Sequence, residues 1–482
     1  MVTPETAFAQ VAVAAPLVRR VSPLSSPRKT TFERRRAMDL ISQTAVEGVA
    51  GPGTPPTYPT LSGVDLADIF RFTQGQPWTD FARMRQEAPV MWHPEPFDGP
   101  GFWALTRYDD VQRVNGDPET FSSQRGGILM SMGSPEKRHA LLFRASMDTM
   151  INLDAPHHLQ LRREHMPYFT PAYLRGLTER VRGEVTRLLD DMEPKLAGGA
   201  AIDMVEHFSS VLPLFTLCEI LGVPPEDRPK FLTWMHYLER AQDLAVKQAN
   251  APLQPTLELM QFVMDFNNNV EEMFEYGRTM LHKRRQDPKE DLMTAIARAQ
   301  VDGALLSDEY LDGSWLLIVF AGNDTTRNTL SGSMKLLTEF PEQKQRLIAD
   351  PSLLPGAVDE FIRMVSPVIY MRRTAARDVE VNGQRIREGE KVVMYYGAAN
   401  RDPAMFENPD QLDVTRANAG KHIAFGYGPH TCIGKRVAQI QLEEAYRQIL
   451  ARFPDLNWTG DIEIAPNNFV HAISKLGVKR GG

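Results

Sequence analysis

The chain has 482 residues and a formal net charge of −7, a balance that argues against nucleic acid as a partner. Its two cysteines cannot build a disulfide framework, which fits a reducing compartment such as the cytoplasm. No stretch approaches the roughly 20 apolar residues that a membrane span needs, so no transmembrane anchor is expected.

Length alone would suggest about three domains, yet no repeat and no Gly/Ser-rich linker divides the middle. Residues 1–56 stand apart. They carry Arg19, Arg20, Arg28, Lys29, Arg34, Arg35 and Arg36 against few acids and end in Gly51-Pro-Gly-Thr-Pro-Pro56. That composition predicts a disordered extension; a transit peptide or a natural start at Met38 would also account for it. Next, Pro89–His93 and Gly101–Thr106 read as a β-hairpin. Helical periodicity follows over Arg182–Met192 and over Val205–Leu221, which Pro224-Pro225 closes. Leu257–Arg285 and Leu311–Leu337 read as long helices. Val379–Ile386 reads as a hairpin turning at Asn382-Gly383, and Lys391–Tyr396 as a strand. The expected fold class is mainly α with small β-sheets. Cys218 sits among Leu214, Leu217 and Leu221 at helical spacing, the pattern of a core cysteine.

Cys432 has different surroundings. It lies in Phe425-Gly-Tyr-Gly428-Pro-His430-Thr-Cys432-Ile-Gly434, just before an amphipathic helix with Val437, Ile440, Leu442, Ala445 and Ile449. Amide groups at a helix start favour negative charge and stabilise a thiolate. Gly428 and Gly434 let the backbone fold tightly around one sulfur and approach a flat partner. Phe425 supplies an apolar wall and His430 a polar contact. Such a thiolate suits an iron centre with one axial sulfur ligand, the ligation that favours O–O cleavage in haem enzymes. A core cysteine at a helix start is the alternative. The spaced set Phe-x-x-Gly-x-His-x-Cys-x-Gly resembles the haem-binding loop of the cytochrome P-450 family, the haem-thiolate monooxygenases. The resemblance implies a single haem-binding domain over residues 57–482. It places the haem between a relay helix and the cysteine loop, in an enzyme of the soluble bacterial type.

Ala321-Gly322-Asn323-Asp324-Thr325-Thr326 interrupts an otherwise apolar helix. Gly322 costs about 1 kcal/mol relative to alanine in a helix interior. Asp324 costs more if its charge is buried without a partner. Such local violations are expected at functional sites, and an acid beside an alcohol can relay protons. A kink with a capped polar pair would give the same string. The string resembles the family's relay motif, which implies that Asp324 and Thr325 are catalytic and that Ala321 and Gly322 contact the cofactor.

Glu360-Phe-Ile-Arg363 resembles the family's Glu-x-x-Arg. The same pattern occurs at Glu33/Arg36, Glu179/Arg182, Glu275/Arg278 and Glu444/Arg447, where a surface ion pair suffices. Its position between relay helix and cysteine loop sets Glu360 apart. The resemblance makes Glu360, Arg363 and Arg416 a buried charge network under the haem. Two propionates call for converging bases. By resemblance these are His158, Arg162, Arg373 and His430, with His158 and Arg162 on one helix face. Taken singly, each reads equally well as a surface cation.

The implied reaction inserts one atom of O2 into a C–H bond, using haem b (iron protoporphyrin IX) and electrons originating from NAD(P)H. Flavin, nicotinamide and iron–sulfur fingerprints are not apparent, so a ferredoxin and its reductase are the expected donors. A patch of Arg162, Arg163, Lys435 and Arg436 would receive an acidic ferredoxin. The local phrases resemble a bacterial branch that oxidises sterol side chains, fatty acids, alkanes and acyclic terpenes. Expected pocket walls are Ile128, Leu129, Met130, Leu317, Phe320, Val368, Ile369, Tyr370, Asn468, Phe469 and Val470. Competing readings are a natural-product tailoring oxidase of the same family, a peroxide-driven relative, a haem sensor, and a Cys432/His430 nucleophile enzyme.

Overall fold

The computed structural model describes residues 58–95, 99–130, 140–250 and 256–481, without the side chains of 239, 242, 243 and 245–250. The expected extension over 1–56 lies outside the described residues. Strands β1 (Val90–His93) and β2 (Phe102–Leu105) form the expected hairpin, with Trp92 opposite Trp103. With β3 (Phe121–Ser122), β4 (Tyr370–Ala375) and, after a further hairpin, β7 (Lys391–Tyr395), they make a five-stranded sheet of order β1-β2-β7-β4-β3. That further hairpin is β5 (Val379–Val381) and β6 (Gln384–Ile386). Its turn residues Asn382 and Gly383 both take positive φ, 47° and 76°, as a two-residue primed turn requires.

The rest is helical, as expected. The helices that matter for the site and its support are α1 (His157–His165), α2 (Pro171–Met192), α3 (Val211–Leu221), α4 (Arg228–Asn250), α5 (Leu257–Gln286), α6 (Asp308–Ala321), α7 (Asp324–Glu339), α8 (Leu354–Val365) and α9 (Lys435–Arg452). On α2 the residues Leu174, Leu177, Val181, Val185, Leu188 and Met192 recur every three or four positions and are buried. That stripe faces α9, which also packs on α8. Cys218 is buried in the same core. No described helix is long and apolar enough to cross a membrane.

Two helices depart from the periodicity. The segment expected as one helix over Val205–Leu221 opens with a π turn, Val205–Ser209, before α3. The one expected over Leu311–Leu337 is two helices, α6 and α7. Gly322 ends α6 and Asn323 precedes α7, its φ of −104° and ψ of −66° lying at the margin of the right-handed helical region. Side chains here compete for backbone carbonyls. Thr325 Oγ1 donates to the Ala321 carbonyl at 3.2 Å, and Asn328 Nδ2 to that of Asp324 at 2.8 Å. Such bonds bend helices.

Candidate active site

The break between α6 and α7 faces the cysteine loop across a cavity of about 1560 Å³ of atom-free space, its mouth included. Ala321, Gly322 and Thr325 lie on one wall; Phe425, His430, Cys432 and Gly434 lie on the other. The loop is closed by the Cys432 N–H donating to the Phe425 carbonyl at 2.8 Å. Gly428 takes φ 72°, and an added Cβ would come within 2.9 Å of the Asn115 carbonyl. The bend therefore needs glycine on both counts. Cys432 is exposed, and its sulfur opens onto the cavity. Burial among protein pushes its thiol up. The Gly434 N–H, the charges of Arg162 and Lys435, and the Lys435 N–H pull it down. Those amides begin α9, so the helix start is aimed at the sulfur. Gly322 also lets α3 pack close, since an added Cβ would meet the tip of Leu217 at 3.0 Å.

Four bases converge at the cavity edge. His158 and Arg162 rise from one face of α1, Arg373 comes from β4 and His430 from the cysteine loop. The rings of His158 and His430 stack, with centroids 3.9 Å apart. Burial, then Arg162 and Arg373, hold His158 down at about 4. Burial, then Arg373, His158 and Arg162, hold His430 down at about 2. Burial also lowers Arg373 and Arg162. Their chain neighbours do not join them: Arg372 turns away to the Gly126 and Leu129 carbonyls, and His157 lies 3.4 Å from Asp302.

Thr325 lines the cavity, whereas Asp324 sits one step round the helix. Its carboxylate lies 3.4 Å from the Arg327 guanidinium and accepts a hydrogen bond from Asn323 Nδ2 at 3.3 Å. Below the loop, Glu360 and Arg363 are fully buried and joined by two 2.7 Å hydrogen bonds. Arg416 Nε donates to the same carboxylate at 3.0 Å.

The sequence profile of the family described as cytochrome P-450 matches residues 137–455. The chain belongs to the cytochrome P-450 family. It is 33% identical over 421 residues to linalool 8-monooxygenase of Pseudomonas putida, covering 86% of this chain and 98% of that protein. It is 31% identical over 441 residues to a methyl-branched lipid omega-hydroxylase of Mycobacterium tuberculosis, covering 88% and 96%. A Mycobacterium marinum cytochrome P-450 solved in complex with pseudoionone superposes with a TM-score of 0.76 at 33% identity, over 89% of this chain and 100% of that one. This cytochrome P-450 is a monooxygenase, and its family uses haem and O2.

The residues present fit a haem. Among the described residues, no carboxylate hydrogen-bonds any of the four converging bases. Asp154, the acid that acts on them, is already taken by the Ser122 hydroxyl and by the Ser123 N–H at 2.9 Å. Two guanidinium groups lowered by burial, beside two imidazoles that they hold neutral, are a site that an anion would complete, and the propionates of a haem would provide it.

The pocket walls differ from expectation. Leu317 and Val368 line the cavity. Along β4 the alternation turns Met371 and Arg373 inward and Tyr370 and Arg372 outward. Tyr370 and Ile369 are buried in a separate cluster, where Phe469 packs on Tyr370 at 5.3 Å. Ile128, Leu129 and Met130 are held on that outer side. The Ile128 carbonyl accepts from the Arg372 N–H at 2.9 Å, the Leu129 carbonyl from its guanidinium at 3.2 Å, and the Met130 N–H donates to the Tyr370 hydroxyl at 3.1 Å. Phe320 is exposed, Asn468 Nδ2 donates to the Leu66 carbonyl, and Val470 bridges to Val368. The sequence reading missed Ile151, Thr216, Leu217 and Ile220, which also line the cavity. Eight of the eleven α3 residues are buried, so nothing in its pattern separates wall from core. In the expected basic patch, Arg162 turns into the cavity and Arg436 pairs with Glu443 at 2.7 Å.

Proposed function

We propose that residues 57–482 form one cytoplasmic haem b domain that hydroxylates a neutral, aliphatic-chain substrate such as an acyclic terpenoid or a branched alkyl chain. The carrying observation is the Cys432 sulfur, met by amides at a helix start and faced across the cavity by Thr325. Cys432 would hold the haem iron through its sulfur, with Phe425 and Gly434 shaping its loop. His158, Arg162, Arg373 and His430 would hold its propionates. Ala321 and Gly322 form the opposite wall. Glu360, Arg363 and Arg416 fix the base of the loop. Bound haem supplies the two-electron activation of O2 that puts one oxygen atom into a C–H bond and releases the other as water.

The side chains do the rest. Leu317, Val368, Thr216, Leu217 and Ile220 exclude water and orient an apolar chain. The threonines add little polarity, since Thr216 Oγ1 donates to the Leu212 carbonyl and Thr329 Oγ1 to that of Thr325. Thr325 gives a proton towards the oxygen and regains one from Asp324. The named relatives, acting on linalool and a methyl-branched lipid, support this substrate class. Electrons from NAD(P)H arrive through a ferredoxin and its reductase, on the face carrying Arg163 and Lys435.

Titrating the ferric protein with a terpenoid alcohol, a branched fatty acid and a sterol tests the substrate class. The terpenoid alcohol is expected to shift the Soret band most. A response only to the free acid would refute a neutral substrate. Asp324→Asn and Thr325→Ala should each lower product formed per NAD(P)H consumed; unchanged coupling in both would refute the relay.

A further inference from the structure

Two neighbouring tyrosines at the end of β7 face opposite ways. Tyr395 packs into the outer cluster against Phe81 and Tyr370, whereas Tyr396, the first residue of a short helix (Tyr396–Ala399), lines the cavity. Tyr396 is 3% exposed. Its hydroxyl accepts a hydrogen bond from Asn115 Nδ2 at 2.8 Å, and Asn115 Oδ1 accepts one from Arg373 Nη2 at 3.4 Å. A guanidinium can only donate, so the Asn115 oxygen faces Arg373 and its NH2 faces the phenol. The phenol is therefore an acceptor towards Asn115 and keeps its own hydrogen for another partner. No acceptor among the described residues takes that hydrogen. On one side of the phenol oxygen stands the bare backbone of the cysteine loop, where an added Cβ at Gly426 would lie 3.5 Å away. Asn115 is itself fixed: it is 2% exposed, ends the helix Tyr108–Gly116, and its carbonyl is the atom that a Cβ at Gly428 would strike. Charge balance gives the phenol a use. Two propionates would bring two negative charges, which Arg162 and Arg373 match while the imidazoles of His158 and His430 stay neutral. A third buried cation would go uncompensated. A phenol adds a donor without adding charge, and a hydrogen bond to an ionised acceptor is among the stronger kinds.

We propose that Tyr396 is a fifth contact to the haem propionates, an uncharged donor that Asn115 orients together with Arg373. The inference rests on the reading of this cavity edge as the propionate site. Asn115 is the positioning residue. It ties guanidinium and phenol to the two ends of one amide, so a shift of either donor is felt by the other.

The test has three readouts. In a crystal structure of the haem-loaded wild-type protein, the Tyr396 phenol oxygen is expected within about 3 Å of a propionate oxygen. A phenol oxygen more than about 3.5 Å from both propionates overturns the proposal. In solution, Tyr396→Phe should lose haem to an apo-myoglobin acceptor roughly tenfold faster than wild type, the effect of one hydrogen bond to a charged acceptor. Its iron reduction potential should fall, because the propionate charge is left less compensated. An unchanged loss rate or an unchanged potential overturns the contact. The same two proteins loaded with the dimethyl ester of haem carry no propionate charge, so there the ratio of their loss rates should fall towards one. An equal ratio with haem and with its ester would make Tyr396 a packing residue and overturn the contact as well. Arg373→Ala measured alongside separates the failures. If it loses haem faster and Tyr396→Phe does not, the propionate site stands and only the phenol falls; if neither does, the reading of this edge falls too. Should Tyr396→Phe not fold, the wild-type crystal structure still decides the matter.

Discussion

Replacing Glu360 with glutamine keeps the shape of the side chain and removes its charge. In the native protein that carboxylate accepts both Arg363 donors at 2.7 Å, Arg416 Nε at 3.0 Å and the Asp413 N–H at 3.2 Å. The variant would leave two buried guanidinium groups with no anion in contact, and would turn an amide N–H towards one of them. Removing one partner of a buried ion pair costs about 3–5 kcal/mol. A whole domain is stable by only about 5–15 kcal/mol. The damage also has a direction. Arg363 Nη1 holds the Asn400 carbonyl at 2.7 Å, and Asn400 Oδ1 receives the Ile423 N–H at 2.8 Å, two residues before Phe425. Loss of the network therefore loosens the cysteine loop itself. Glu360→Gln is predicted to purify with little haem and a strongly lowered unfolding midpoint, measured as the haem-to-protein ratio and by thermal denaturation. Wild-type haem content at a wild-type midpoint would refute the reasoning.

Other expectations follow from single residues. Gly428→Ala forces a left-handed residue against the Asn115 carbonyl, at a cost of at least about 1–2 kcal/mol; haem content should fall, and a fully loaded variant would count against the loop geometry. Arg373→Ala removes one of the two guanidinium groups proposed to hold the propionates, so haem should dissociate faster to an apo-myoglobin acceptor; an unchanged rate would sink the assignment. His165 is buried on α1 with no partner for either ring nitrogen among the described residues, and burial holds it at about 4. The unfolded chain binds that proton near 6.5, so the neutral ring's contribution is complete above that pH and lost as pH falls towards 4. The loss is about 3 kcal/mol, from about 1.4 kcal/mol per unit. His165→Phe should flatten this part of the pH–stability curve, and an equally steep curve would contradict it.

How far the sequence could be read depended on the kind of signal. The cysteine loop was legible because its glycines, His430 and Cys432 have fixed spacings, each demanded by local backbone geometry. Glu360 was legible only by its place, since five other Glu-x-x-Arg pairs, Glu184/Arg187 among them, look the same. The split between α6 and α7 was hidden, because Leu311–Leu337 keeps helical periodicity across Gly322 and Asn323 while the backbone turns. The pocket walls were the least legible. Whether Tyr370 or Met371 meets the cavity depends on strand register, and Leu217 enters from α3, about a hundred residues from its neighbour Gly322. Cavity walls and core walls have the same apolar composition, so only tertiary packing tells them apart.

The absorption spectrum of the reduced, carbon monoxide-bound protein, recorded for the wild type and for Cys432→Ser, tests the central claim most directly. A strongly red-shifted Soret band in the wild type, absent from the variant, is the predicted result. The same band in both proteins, or none in a haem-loaded wild type, would mean that the sulfur at position 432 does not bind the iron.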